Sequence, residues 1–88
     1  MGPTSRPGAP TVVLRLFAAA RQAAGVASEE VQGSTVGAVI DDARARHGDA
    51  FGAVVDGSRL WVNGSPADHD TALSEGDEVA VLPPVSGG

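Results

Sequence analysis

Hydrophobic and polar residues alternate in two stretches of the chain, one near each end. TVVLRLF occupies residues 11–17. Its apolar residues Val12, Leu14 and Leu16 share one face of an extended backbone, and this period of two predicts a strand. EVAVL, residues 78–82, alternates in the same way and predicts the last strand. Because these are the most hydrophobic of the predicted strands, we expect them to pair at the centre of a sheet.

The segment STVGAVIDDARARHG, residues 34–48, has the pattern of an amphipathic helix. Thr35 or Ser34 is the predicted N-cap, because a hydroxyl oxygen accepts hydrogen bonds from the first-turn amides. Gly48 is the predicted end. An apolar stripe repeats at helical spacing. Its members are Val36, Val39, Ile40 and Ala43.

Shorter segments connect these elements. AAARQAAG predicts a short helical turn that ends at its glycine, and ASEEVQG predicts a short second strand. DAFGAVVDG is expected to form a short helical or irregular link that places Phe51, Val54 and Val55 in the core. RLWVNG predicts a strand that ends in a tight turn at Asn63-Gly64. The segment SPADHDTALSEGD is rich in turn-forming residues and precedes the last strand.

The resulting order is strand, short helix, strand, main helix, strand, turns, strand. It predicts an α+β domain in which one main helix covers one face of a small mixed sheet. This arrangement is the β-grasp, or ubiquitin-like, fold. The domain is expected over residues 11–82, after a disordered leader rich in Pro and Gly over residues 1–10 and before an extended tail over residues 83–88.

Composition limits the size and residue types of the core of this domain and indicates the compartment in which the protein is expected. The chain has 88 residues, which argues for one domain with a small core. Aromatic residues make up only 3%, so we expect an aliphatic core around Phe17, Phe51 and Trp61. Cysteine is absent, which excludes disulfides and cysteine nucleophiles. No apolar run approaches the roughly 20 residues that span a bilayer, and residues 1–10 lack the apolar segment of a secretory signal. A cytoplasmic protein is expected.

The charge of the chain narrows the choice of partners. Its net charge is −5 and its pI is about 4.6. Nucleic acid and anionic membranes require a basic surface, so neither is an expected partner. A basic protein surface is the better match. All six basic residues are arginine, so the chain has no side-chain amine for acylation or isopeptide linkage.

Few side chains in this sequence have the types and spacing that an enzyme active site would require. Asp68, His69 and Asp70 are adjacent in the turn-rich segment. Three consecutive residues cannot all converge on one metal ion, so we expect a solvated turn and no metal site. Asp41 and Asp42 lie off the apolar stripe and are expected at a solvated helix edge. A phosphate-binding loop is also absent from the sequence, and we do not expect a free-standing enzyme.

The ending VLPPVSGG is the strongest candidate for chemistry. Pro83 and Pro84 lack amide hydrogens, so they end the last strand and begin a stiff, extended segment. The six residues after Leu82 reach roughly 20 Å from the fold. Glycine has no Cβ, so a narrow tunnel in a partner can close around Gly87-Gly88. Adenylation by ATP would turn the Gly88 carboxylate into an acyl donor for a sulfur or amine nucleophile.

Several segments resemble the small subunit of molybdopterin synthase, the MoaD type of ubiquitin-like sulfur carrier. They are LFAAARQAAG, VNG, LSEGDEVAVLPPVSGG and the helix STVGAVIDDARARHG, and the resemblance covers about residues 11–88. The ending GDEVAxxPPVxGG is its most specific part. ThiS-like carriers of thiamine synthesis share the fold and the Gly-Gly end, but they usually lack the LFAxxR start and the Pro-Pro pair. Sulfur carriers of cysteine synthesis commonly have a longer middle loop.

The resemblance implies a route for sulfur. An E1-like activating enzyme, which holds ATP and magnesium, would adenylate Gly88, so this chain itself binds no cofactor. Sulfur would then convert Gly88 to a thiocarboxylate. The tail, with Gly87 next to the reacting carbonyl, would enter the large synthase subunit and donate sulfur to cyclic pyranopterin monophosphate. The synthase of this family is a heterotetramer with small subunits at its two ends.

The resemblance also implies a partner-contact surface. Phe17 and Arg21 match the FAxxR stretch of the family. From the residues alone, Phe17 is either an exposed anchor or a core residue, Leu82 fits either a contact or the core, and Arg21 also fits a solvated surface charge. The expected partner-binding residues are Phe17, Arg21, Leu82, Pro83, Pro84, Val85 and Ser86.

Other functions remain open at this point. The chain is alternatively a sulfur carrier for thiamine or another sulfur pathway. A different class is a ubiquitin-like modifier that is conjugated through Gly88 to target lysines. A third is a passive β-grasp interaction module with an inert tail.

Overall fold

The computed structural model of the protein describes residues 9–84. Residues 1–8 of the predicted leader and residues 85–88 of the predicted tail lie outside this part. The described chain forms eight elements. They are β1 (Thr11–Leu16), α1 (Ala18–Ala24), β2 (Ser28–Gln32), α2 (Val36–His47), α3 (Asp49–Asp56), β3 (Arg59–Val62), β4 (Ser65–Ala67) and β5 (Glu78–Leu82).

The strands form one five-stranded mixed sheet in the order β2-β1-β5-β3-β4. β1 and β5 are parallel and central, which confirms that the two most hydrophobic strands pair in the middle. The other neighbouring pairs are antiparallel. The sheet and its helices have the predicted β-grasp architecture. Strand β4 was not predicted, because it has only three residues and contains Pro66, which cannot donate to a ladder.

One face of the sheet, called the covered face here, packs against the helices. α1 contacts β1 and β5, α2 contacts β2, and α3 packs against both other helices. The side chains between the layers are aliphatic apart from Phe51, which is fully buried. Within residues 9–84 no polar or charged residue is buried. The largest fully buried residues are Phe51, Leu14, Leu16, Ile40, Val12, Val36, Val39, Val79 and Val81.

Local sequence signals fix the ends of several elements as predicted. The Thr35 hydroxyl accepts a hydrogen bond from the Ala38 amide at 3.1 Å and caps α2. Gly25 ends α1 with φ of 82°, a left-handed conformation that glycine adopts without steric cost. Asn63 and Gly64 have φ of 50° and 84°, as a tight hairpin turn between β3 and β4 requires.

The aromatic residues do not all lie in the core, so the prediction of a core around three aromatic residues was wrong for two of them. Trp61 is only half-buried, because it alternates with Leu60 and therefore faces away from the helices. Phe17 follows the last residue of β1 and is 42% exposed. Only Phe51, on α3, fills the core.

Candidate functional site

The tail leaves the sheet at the end of the central strand β5. This end of the sheet is called the tail exit here. It is formed by Leu82 at the end of β5, Arg59 at the start of β3 and Leu16 at the end of β1. Leu82 is paired with Arg59, and Leu16 is paired with Val81. Pro83 and Pro84 follow Leu82 without strand structure, as expected for residues that lack an amide hydrogen. The remaining tail residues, Val85, Ser86, Gly87 and Gly88, lie outside the described part of the chain.

Phe17 and Arg21 lie beside the tail exit. Phe17 directly follows Leu16, and its carbonyl oxygen accepts hydrogen bonds from the amides of Ala20 and Arg21. Because Arg21 is one helical turn further along α1, both residues are at the end of the sheet where the tail begins. Both side chains are exposed. This position is compatible with the predicted partner contacts, whose role stays a prediction.

A strip of apolar side chains runs along the open face, which is the face of the sheet opposite the helices. Trp61 lies between Ala80 of β5 and Pro66 of β4 in the strand register. Leu82 continues the strip to the tail exit and is half-buried, so it is not part of the core. The sequence prediction missed Trp61 and Pro66 as surface candidates. The alternation in RLWV contained the signal, since a buried Leu60 places Trp61 on the other face.

Arg59 at the tail exit and Arg21 beside it differ in their surroundings from the other arginines of residues 9–84. Arg15 on the open face pairs with Glu78 at 2.5 Å, while Arg44 and Arg46 pair with carboxylates near the helices. Within residues 9–84, neither Arg21 nor Arg59 forms an ion pair. This end of the domain therefore has two arginines that form no ion pair with a carboxylate of residues 9–84, on a chain with a net charge of −5.

A second charged cluster lies away from the tail exit and ties the edge strand β2 to α2. Glu29 accepts hydrogen bonds from Arg46 at 2.8 and 3.1 Å, and its Oε2 lies 2.9 Å from Nε2 of His47. Burial alone would raise the pKa of Glu29, but the hydrogen bonds and charges of Arg46 and His47 outweigh it and hold that pKa below its ordinary value. The cluster joins two elements and is structural.

Asp68, His69 and Asp70 form a turn, as predicted. The Asp68 carboxylate accepts hydrogen bonds from the Asp70 amide at 2.9 Å and from the Thr71 hydroxyl at 3.3 Å, which is the local pattern that Asp favours in turns. In the part of the chain that the structure describes, no three His, Asp or Glu side chains come together as metal ligands. Nor does any helix in residues 9–84 have the length and apolar character to cross a membrane.

Comparison with known proteins agrees with this architecture. The model of the ThiS family matches residues 14–88, which includes the Gly-Gly ending. No curated protein matches the chain. Among solved structures, SAMP1 from Haloferax volcanii is 31% identical with a TM-score of 0.79, and the match covers 89% of this chain and 99% of that one.

Two further solved structures link the fold to sulfur carriers. A protein assigned as molybdopterin converting factor subunit 1 from Pyrococcus furiosus is 34% identical, with a TM-score of 0.76 over 86% of this chain and 99% of that one. CysO, solved in complex with BexX from Amycolatopsis orientalis, is 26% identical, with a TM-score of 0.74 over 88% of this chain and 99% of that one. The family match and these likenesses lead to one conclusion: the chain belongs to the ThiS family of ubiquitin-like sulfur carriers.

Proposed function

We propose that this protein is the sulfur-carrying small subunit of a molybdopterin synthase. The observation that carries the proposal is the 34% identity to a molybdopterin converting factor subunit 1 across nearly all of that chain. The Pro83-Pro84 pair, which ThiS-like carriers usually lack, supports the same choice. The reaction centre is the carboxylate of Gly88.

The proposed chemistry has two steps on that carboxylate. First, a carboxylate oxygen of Gly88 attacks the α-phosphate of ATP and pyrophosphate leaves, which gives an acyl-adenylate. Second, the terminal sulfur of a donor persulfide attacks the carbonyl carbon and AMP leaves, which gives an acyl disulfide. A second thiol then attacks the donor's own sulfur and breaks the S–S bond, so that a disulfide forms on the donor and the thiocarboxylate is released on Gly88. ATP and Mg²⁺ are held by an E1-like activating enzyme. This chain contributes only the acyl group and the surface by which the enzyme holds it.

The thiocarboxylate then donates its sulfur to cyclic pyranopterin monophosphate in the active site of a large subunit. The geometry of the open face supports such a transfer. The apolar strip of Trp61, Ala80 and Leu82 ends at the point where the tail begins. A partner that holds this strip therefore has the start of the tail at the edge of its contact surface, and the tail spans roughly 20 Å beyond it. Phe17 and Arg21 are at the rim of the same contact. The proposed assembly is a heterotetramer with two such small subunits.

A second candidate function is protein modification through Gly88. It is favoured by the likeness to SAMP1, whose name in a related solved structure is small archaeal modifier protein 1. A third, sulfur delivery in another pathway, is favoured by the likeness to CysO. All three use an activated Gly88 and differ in the acceptor that takes the acyl group or the sulfur.

Reconstitution with defined acceptors separates these functions. The protein, made with a C-terminal thiocarboxylate, is mixed with the molybdopterin synthase large subunit of the same organism and cyclic pyranopterin monophosphate. We expect molybdopterin to form and the thiocarboxylate to return to the carboxylate. The matched control lacks Gly87 and Gly88 and is expected to be inactive. Absence of product, together with covalent adducts on lysines of other proteins in the cell, would replace the first proposal by the second.

A further inference from the structure

The hairpin turn between β3 and β4 contains a chemically labile pair, because Asn63, the only asparagine of the chain, is followed by Gly64. We propose that Asn63 is a deamidation site, and that its hydrogen bonds to the start of β5 slow the reaction while the protein is folded. The inference concerns the covalent lifetime of the chain. It goes beyond the proposed function and does not depend on it.

The reaction at an Asn-Gly pair requires only the chain itself and water. The backbone nitrogen of Gly64 attacks the side-chain carbonyl carbon of Asn63 and forms a C–N bond. The bond to the side-chain nitrogen breaks, and ammonia leaves with the proton of the Gly64 amide. Water then opens the five-membered succinimide ring, which gives aspartate or isoaspartate at position 63. Glycine favours the attack because it has no Cβ to hinder the approach, and both residues are exposed to water.

The structure holds both polar atoms of the reacting side chain. Nδ2 of Asn63 donates a hydrogen bond to Oδ1 of Asp77 at 2.9 Å, and the Glu78 amide donates to Oδ1 of Asn63 at 2.9 Å. The backbone amide of Asn63 also donates to the Glu78 carbonyl oxygen at 2.9 Å. A rotation that carries the side-chain carbonyl carbon towards the Gly64 nitrogen breaks the two side-chain contacts, so the folded turn opposes the attack.

Asp77 is the charged acceptor in this arrangement. Its Oδ2 accepts a hydrogen bond from the Ser74 amide at 2.8 Å, so its own turn positions the carboxylate. The Ser74 amide, and then Asn63, lower the pKa of the Asp77 carboxyl below its ordinary value. Asp77 is therefore ionised at neutral pH, and a hydrogen bond to a charged group is stronger than one between neutral groups. Deamidation would place a second carboxylate beside Asp77 and replace this hydrogen bond by repulsion.

Peptide mass spectrometry of the full chain, incubated at mildly basic pH, measures the rate of conversion at Asn63. Asp77→Ala removes the acceptor. Glu75→Ala is the matched control, because Glu75 is in the same turn but accepts its hydrogen bond from the Thr11 amide at 2.9 Å. We expect Asp77→Ala to deamidate at least about tenfold faster than the wild type, since a hydrogen bond to a charged group is lost. Glu75→Ala should deamidate at the wild-type rate.

The wild type unfolded in urea gives the unprotected rate, and circular dichroism checks that the variants without urea are folded. We expect the folded wild type to deamidate at least about tenfold more slowly than the unfolded chain, because the reaction then requires local opening of the turn. Equal rates in the folded and unfolded wild type would overturn the inference. Equal rates in Asp77→Ala and Glu75→Ala would also overturn it, as would an unfolded chain that shows no conversion at Asn63.

A second pair of variants tests the product of the reaction. Asn63→Asp reproduces the aspartate product and should lower the urea midpoint of unfolding at neutral pH. The double variant Asn63→Asp/Asp77→Asn exchanges the two side chains, so that a donor and an acceptor again face each other. It should recover most of the lost midpoint. A double variant as unstable as the single one would contradict the assigned role of the Asn63–Asp77 contact.

Discussion

The two faces of the central sheet have opposite characters, although the same strands build both. On the covered face, Leu14, Val79 and their neighbours are fully buried against the helices. On the open face, Trp61 and Leu82 are half-buried and share the surface with the Arg15–Glu78 ion pair. The difference indicates that the covered face supplies most of the stability, and it is compatible with the proposed role of the open face in partner recognition. The tail begins at the end of the strand that carries Leu82 on the open face.

The largest expected difference between the two faces is in the stability lost when a leucine on each face is replaced by alanine. Leu14→Ala removes a fully buried side chain and should lower the free energy of unfolding by about 2–5 kcal/mol. Leu82→Ala removes a half-buried side chain and should cost about 1 kcal/mol, while it weakens binding to the large subunit at least tenfold. Urea unfolding and titration calorimetry measure the two effects. Equal losses of stability would show that the open face is part of the core.

An intermediate effect is expected at Glu29, which joins β2 to α2. Glu29→Gln removes charge-assisted hydrogen bonds from Arg46 and His47 and should lower the free energy of unfolding by roughly 1–2 kcal/mol at neutral pH. The pKa of Glu29 is depressed in the folded protein. Its contribution is therefore present above the ordinary value of 4.5 and is lost as the pH falls through the lower folded-state pKa.

Urea unfolding of the wild type and of Glu29→Gln over this pH range checks the sign. The difference between the two proteins should be largest near neutral pH and should shrink in acid. A difference that grows on acidification would contradict the assignment of Glu29 as a stabilising carboxylate. Gln32→Glu, on the same strand and exposed, is a control for the general effect of charge on β2.

The smallest effect is expected for the ion pair on the open face. Arg15 and Glu78 have side chains that are 52% and 44% exposed, so water and salt screen their attraction. A double-mutant cycle with Arg15→Gln and Glu78→Gln should give a coupling energy below about 1 kcal/mol. A much larger value, measured by urea unfolding at low salt, would mean that the open face contributes to stability through charge.

Much of the fold follows from local rules in the sequence. The alternation in β1 and β5, the apolar stripe of α2 and the Asn63-Gly64 turn each depend on neighbouring residues, and the structure confirms them. Strand β4 depends instead on pairing with β3 across the hairpin. Its three residues, one of them Pro66, carry no strand pattern of their own.

The site was less accessible to sequence reasoning, for a related physical reason. Whether Phe17 and Trp61 face the core or water depends on which face the helices cover, and alternation alone does not settle that. The register of β3 with β5 places Trp61 beside Ala80, and this long-range pairing was not visible in the sequence. The grouping of Arg59 with Leu82 at the tail exit has the same origin. The chemical role of the Gly-Gly ending was inferred from its motif and stays a prediction.

The central claim is that Gly88 carries sulfur while the folded domain serves as its handle. The most direct measurement is the intact mass of the full chain after co-expression with its E1-like activating enzyme and a sulfur source, with fragmentation to locate the change. The account predicts that one oxygen is replaced by sulfur on Gly88, and that a chain lacking Gly87 and Gly88 keeps its thermal stability but gains no sulfur. An unchanged mass on Gly88 in the presence of an activating enzyme that is active on another carrier would contradict the claim.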